Sequence, residues 1–152
     1  MKLKNQKGFT IIELLVVIAI IGLLASVVLV GLGGARRSGR DARRVADLRQ
    51  IQVGLESYFA KNGNYPQPPL STNLVNAGVG VSVVPVDPSG TTAVPVPYSY
   101  GVNANPATTY TLGASLEDTT NQALNNDIDG TSNGVACADG PAPAAFVYCV
   151  SL

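Results

Sequence analysis

The sequence predicts an α+β chain in which one long N-terminal helix packs its second half against a small antiparallel β-sheet. Three observations point there. The 22 residues Leu14–Ala35 carry no charge, enough for a helix that crosses a bilayer core. Residues 36–61 then repeat apolar side chains every three or four positions. From Pro66 onward, where all ten prolines lie, short runs rich in Val, Thr and Tyr alternate with turn residues.

Charge divides the chain in the same place. It has 152 residues, with ten basic, ten acidic and no histidine. All ten Lys and Arg fall in residues 1–61 beside only Glu13, Asp41, Asp47 and Glu56, so the front carries +6 and the remainder −6. That balance speaks against a general nucleic-acid binder, which needs a basic excess. The missing histidine removes most catalytic triads and most zinc sites. With no glycine-rich phosphate loop and no nucleophile beside a base, an enzyme is not expected.

The apolar run is longer than the roughly 7–15 residues of a cleaved secretory signal, its nearest competitor. Glu13 sits at its N-terminal edge, within the apolar stretch Phe9–Leu15. A carboxylate at the middle of a membrane helix costs about 2.5–3.5 kcal/mol, and less near the end. It calls for a partner, either Lys7 nearby in the chain or a cation from elsewhere.

The stretch Lys7-Gly8-Phe9-Thr10-Ile11-Ile12-Glu13-Leu14-Leu15-Val16-Val17 resembles the leader junction of type IV pilins and type II secretion pseudopilins. The resemblance covers about the first third of the chain. It implies a pilin-like fold, with a leader at residues 1–8, an assembly and membrane segment at 9–35, an amphipathic helix at 36–61 and an exported domain at 62–152. It also implies cleavage between Gly8 and Phe9 by a membrane prepilin peptidase, and N-methylation of the new Phe9 amine. Glu13 would then neutralise that amine in a neighbouring subunit and so fix the assembly register. The family places the N-terminus in the cytoplasm. Counting flanking cations opposes this: Lys2, Lys4 and Lys7 precede the span, and Arg36, Arg37, Arg40, Arg43 and Arg44 follow it.

In residues 36–61, Ala42, Val45, Leu48, Ile51, Leu55 and Tyr58 form one helical face. Asn62-Gly63-Asn64-Tyr65-Pro66 ends it with Asn, Gly and Pro signals. The arginines between read as a solvated or lipid-headgroup face, or as a contact with the acidic half of another copy. Gly31, Gly33, Gly34 and Gly39 each weaken a helix by about 1 kcal/mol relative to Ala. That density predicts a segment that can bend or melt, unless the small residues serve close helix packing.

Residues 62–152 are near the low end for an independent core, which the helix face can complete. The expected strands are Val79–Val86, Tyr98–Val102, Thr109–Leu116 and Phe146–Val150, with prolines keeping the early ones at edges or in loops. Cys137 and Cys149 are the only cysteines. In an exported domain they are expected to form a disulfide, the alternative being two buried thiols. Asp118, Asp127 and Asp129 lie in an Asn/Asp-rich stretch that offers calcium ligands, or simply solvated turns. Resemblance to major pseudopilins, which carry calcium in a comparable loop, makes calcium the one candidate cofactor.

The function expected is a structural subunit of a type IV pilus-like filament, either a major pseudopilin of type II secretion or a type IV pilin. Its partners by resemblance are copies of itself, minor pilins or pseudopilins, the prepilin peptidase, and indirectly a platform protein and assembly ATPase. The precursor would cross the inner membrane once with its C-terminal domain outside, then join a periplasmic or cell-surface filament. The alternative is a membrane-anchored, calcium-dependent binding module that does not polymerise.

Overall fold

The computed structural model describes residues 8–138, 140 and 146–152. The leader residues 1–7, and Asp139 in the C-terminal loop, lie outside the described residues. The chain forms two units, Met1–Arg36 and Arg37–Leu152. Helix α1, Ile11–Asn62, contributes to both. In the first unit the described apolar side chains of the helix are exposed all round, among them Ile11, Leu15, Ile18, Ile21, Val28 and Leu29. A helix apolar on every side is stable in lipid or in a helical bundle, not in water. By length and composition this one is able to cross a membrane.

The second unit buries one stripe of the same helix. Its buried side chains are Asp41, Arg44, Leu48, Ile51 and Leu55, a spacing of three and four that keeps them on one face. Leu48, Ile51 and Leu55 follow the expectation. Ala42 is exposed and Val45 only half-buried, because an ion pair occupies the first turn of the stripe where the periodicity places apolar residues. The helix closes at Gly63, whose N–H donates to the Phe59 carbonyl at 2.7 Å and whose φ is +72°. That left-handed conformation favours glycine. Tyr65 follows directly and is fully buried. Its ring lies 4.7 Å from those of Phe59 and Tyr110, and its hydroxyl donates to Glu56 at 3.0 Å.

Strands β1 (Ser99–Val102), β2 (Tyr110–Leu116) and β5 (Phe146–Ser151) make an antiparallel sheet with β2 in the centre. The expected strand at Val79–Val86 does not form. Gly78 and Gly80 take positive φ there and Pro85 lacks a ladder donor, so the segment stays irregular. It still packs: a Cβ at Gly54 of α1 would come within 2.9 Å of Val81 and 3.2 Å of Leu74. Leu74 belongs to a short helix, α2 (Leu70–Asn76), which the strand-and-turn reading misses.

Alternation along β2 separates two cores. Tyr110, Leu112 and Ala114 pack with Leu48, Ile51 and Leu55 of α1. The opposite side holds Thr111 and Gly113, and a hairpin covers it: β3 (Gly130–Ser132) and β4 (Val135–Cys137), joined by Asn133-Gly134. Both turn residues have positive φ, 49° and 79°, as a two-residue hairpin turn of this hand requires. Val135, Cys137 and Cys149 form the second core with Ile128 and Val147 beside them. The Cys137–Cys149 disulfide joins β4 to β5 inside it. The hairpin tip rests on β1, where a Cβ at Gly101 would fall 2.1 Å from the Asn133 carbonyl oxygen. Gly101→Ala is therefore expected to destabilise the domain by about 1–3 kcal/mol, read as a lowered midpoint in denaturant unfolding of the purified chain.

Candidate functional site

The segment Gly8–Glu13 opens the apolar helix with its own hydrogen-bond device. Thr10 stands at the N-cap and Glu13 three residues later. The Glu13 carboxylate accepts from both the Thr10 N–H and the Thr10 hydroxyl at 2.8 Å, and the Glu13 N–H donates back to the Thr10 oxygen at 3.3 Å. This is a capping box, which satisfies helix-end donors reciprocally. Its Thr-x-x-Glu signature was readable in the sequence, yet charge considerations alone single out Glu13 and pass over Thr10. Phe9 is 80% exposed, so the first residue after the Gly8-Phe9 bond is uncovered by the chain's own atoms.

A second constellation lies within Arg37–Leu152 and owes nothing to apolar periodicity. Arg44 is 3% exposed. Its Nε and Nη2 donate to the two oxygens of Asp87 at 2.7 and 2.9 Å. Its Nη1 donates to Asp41 at 2.6 Å and to Glu117 at 2.9 Å. Arg40 grips both oxygens of Glu117 from the next turn of the helix. Asp41, fully buried, also accepts the backbone N–H of Glu117 and of Asp118. Two cations and three carboxylates thus share one site, and backbone N–H groups stabilise the extra negative charge.

The arrangement sets the protonation of its members. Burial pushes the Asp87 carboxyl up, but hydrogen bonds from Arg44 and Ser89 outweigh it and hold the group at about 2. Glu117 is likewise held at about 2, first by its bonds to Arg40 and then by Arg44, against the effect of burial. Asp87 and Glu117 both come from the acidic half and both arginines from the basic half, so part of the charge split closes within one chain. For Arg40 and Arg44 this replaces the headgroup and inter-copy readings. Arg36 and Arg37 remain exposed, and Arg43 stands 3.8 Å from Asp47.

The acids proposed as calcium ligands are spread out. Asp118 caps its own turn through the Thr120 N–H and hydroxyl at 2.9 and 2.7 Å. Asp127 accepts the Cys149 N–H at 2.9 Å, and Asp129 lies in the approach to β3. Among the described residues no three His, Cys, Asp or Glu side chains form a group that could hold a metal ion.

A family model for the prokaryotic N-terminal methylation motif matches residues 3–29. That interval contains Gly8, Phe9, Thr10 and Glu13. The chain is 33% identical over 100 residues to the type II secretion system core protein G of Escherichia coli (strain K12), covering 57% of this chain and 68% of that protein. The chain belongs to the pilin and pseudopilin family. Other members it resembles are the core protein G of Klebsiella pneumoniae, 38% identical over 64 residues, and a type IV wide pilus major component of Thermus thermophilus, 43% identical over 63 residues. The matches cover 42% and 41% of this chain, and the chain spans about half of each relative, 46% and 48%. No solved structure matches it.

For this pseudopilin-family chain the ion cluster carries two expectations. Arg44→Ala leaves Asp41 and Asp87 buried without their cation, and should cost about 3–5 kcal/mol in denaturant unfolding. Asp87 and Glu117 titrate lower in the folded chain than the ordinary carboxylate values of about 4. Their contribution to stability is therefore complete above about pH 4 and fades as pH falls toward about 2, which melting curves at stepwise lower pH will register.

Proposed function

We propose that this chain is a structural subunit of a type IV pilus-like filament, with a type II secretion pseudopilus as the first assignment. The observation that carries the reading is the apolar helix of residues 11–29, exposed on all described sides and introduced by the matched methylation motif. Such a helix needs lipid before assembly and neighbouring helices afterwards. The 33% identity to core protein G supports the secretion assignment, and the 43% identity to a wide-pilus component supports a surface pilus as the second reading.

On this reading a prepilin peptidase cuts between Gly8 and Phe9, and the new Phe9 amine is methylated. The precursor sits in the inner membrane with its C-terminal domain outside, and the finished filament is periplasmic or on the cell surface. Copies of the chain, minor subunits, a platform protein and an ATPase are its proposed partners. Glu13 has two successive tasks. In the single chain it caps the helix through Thr10. In the filament it meets the Phe9 ammonium of a neighbour. Each ion loses hydration in that apolar setting, so the pair contributes little net stability, but a wrong stagger leaves a charge unpaired at heavy cost. The contact therefore selects register.

Glu13→Ala should insert in the membrane normally and form no filaments by electron microscopy, while mass spectrometry of the wild-type protein should find a mature N-terminus at methylated Phe9. Intact residues 1–8 on a permanently monomeric protein would instead favour a membrane-anchored binding module.

A further inference from the structure

Arg36, Arg37, Arg40, Arg43 and Arg44 follow the uncharged run of residues 14–35, and the fold occupies three of them. Arg40 grips Glu117, Arg44 is enclosed by Asp41, Asp87 and Glu117, and Arg43 stands 3.8 Å from Asp47. Arg36 and Arg37 are exposed and form no ion pair among the described residues. The two left over are the two nearest the apolar run.

Their position along α1 determines what they meet. The 22 uncharged residues span about 33 Å as a helix, against roughly 30 Å for a bilayer core. With that run in lipid, Ala35 reaches the end of the hydrocarbon, and Arg36 and Arg37 stand among headgroup phosphates. A guanidinium offers parallel N–H donors to two oxygens of one phosphate. Each arginine beside an anionic membrane surface strengthens attachment by about fivefold.

The next turn has the opposite character. Arg40 and Arg44 share their cluster with Asp41, Asp87 and Glu117, one carboxylate more than the guanidiniums present. Attraction for an anionic surface therefore ends there. The acidic half of another copy is the competing partner, and most of its carboxylates are engaged within the chain. Asp87 and Glu117 hold the arginines, Asp118 holds Thr120, and Asp127 accepts the Cys149 N–H. Headgroup phosphate needs no such release.

We propose that Arg36 and Arg37 bind the phosphates of anionic phospholipid at the C-terminal end of the apolar run, and that the net negative cluster after them confines the contact to that turn. The pair fixes how deep the run sits in the bilayer. The proposal rests on the membrane-anchored reading above and not on polymerisation.

Native mass spectrometry of the full-length chain tests it. The chain is released from nanodiscs of equal phosphatidylglycerol and phosphatidylcholine, one chain per disc, and the retained lipids are counted. Every preparation carries Lys2→Gln, Lys4→Gln and Lys7→Gln, which silences the basic residues before the run. Phosphatidylglycerol should be retained at least about fivefold over phosphatidylcholine. Arg36→Gln with Arg37→Gln should make retention of the two lipids equal. Arg49→Gln, exposed but beyond the cluster, should leave the preference unchanged. Equal retention by the parent chain would overturn the proposal, as would a preference that survives the double Gln variant or vanishes with Arg49→Gln. A preference seen only in discs holding two chains would assign the arginines to a contact between copies and sink the lipid site. A chain that fails to enter nanodiscs would refute the membrane reading itself, whereas absence of filaments in cells would count against polymerisation alone.

Discussion

The guanidinium of Arg44, sunk between Asp41, Asp87 and Glu117, ties two distant parts of the chain to one turn of helix. A buried cation is costly to desolvate, and this one is stable because three carboxylates meet its donors. Its planar fork matches Asp87 with two parallel bonds, a geometry that lysine does not reproduce. The loop at Asp87 and the turn after β2 are thereby set on the helix, and the apolar stripe at Leu48, Ile51 and Leu55 meets the sheet below them. Hydrophobic burial drives the domain together, while the ion cluster decides where along the helix it sits.

That division of labour explains why the two halves of the helix have such different neighbours. From Leu14 to Leu29 the helix carries no charge, its apolar side chains face every direction and the chain offers them no cover. From Asp41 onward a single stripe is covered by the chain itself. The change falls where the glycines are densest and where the compact unit begins. A member of the pilin and pseudopilin family thus carries one helix with two environments, lipid or other helices for the first part and its own sheet for the second.

Much of this was legible in the residues, for physical reasons that differ by element. The long helix and its stop at Asn62-Gly63 follow from the uncharged apolar run, the apolar periodicity after it and the Asn, Gly and Pro signals that close it. Strands β1, β2 and β5 follow from their Val, Thr and Tyr content. Glu13 is legible because a carboxylate in an apolar run demands a reason, and Gly8-Phe9 only through the family resemblance of the residues around it. Asp41 and Arg44 are not, because composition places charged residues in solvent and only the fold brings Asp87 and Glu117 to them. The hairpin at Asn133-Gly134 escapes notice because its strands of three residues are too short to show alternation, although the dipeptide itself is a strong turn signal. Val79–Val86 has strand-like composition, but positive-φ glycines and proline turn its valines into loop residues that fill gaps beside Gly54.

The hairpin that closes over β2 also limits how anything else can approach. With α1 against one side of the sheet and β3–β4 against the other, the central strand is sealed above and below. An incoming protein finds no broad pleated platform to stack upon. It must engage irregular connections or the outer rungs of β1 and β5, so affinity and selectivity for neighbours are free to diverge through loop changes while the sandwich beneath stays as it is.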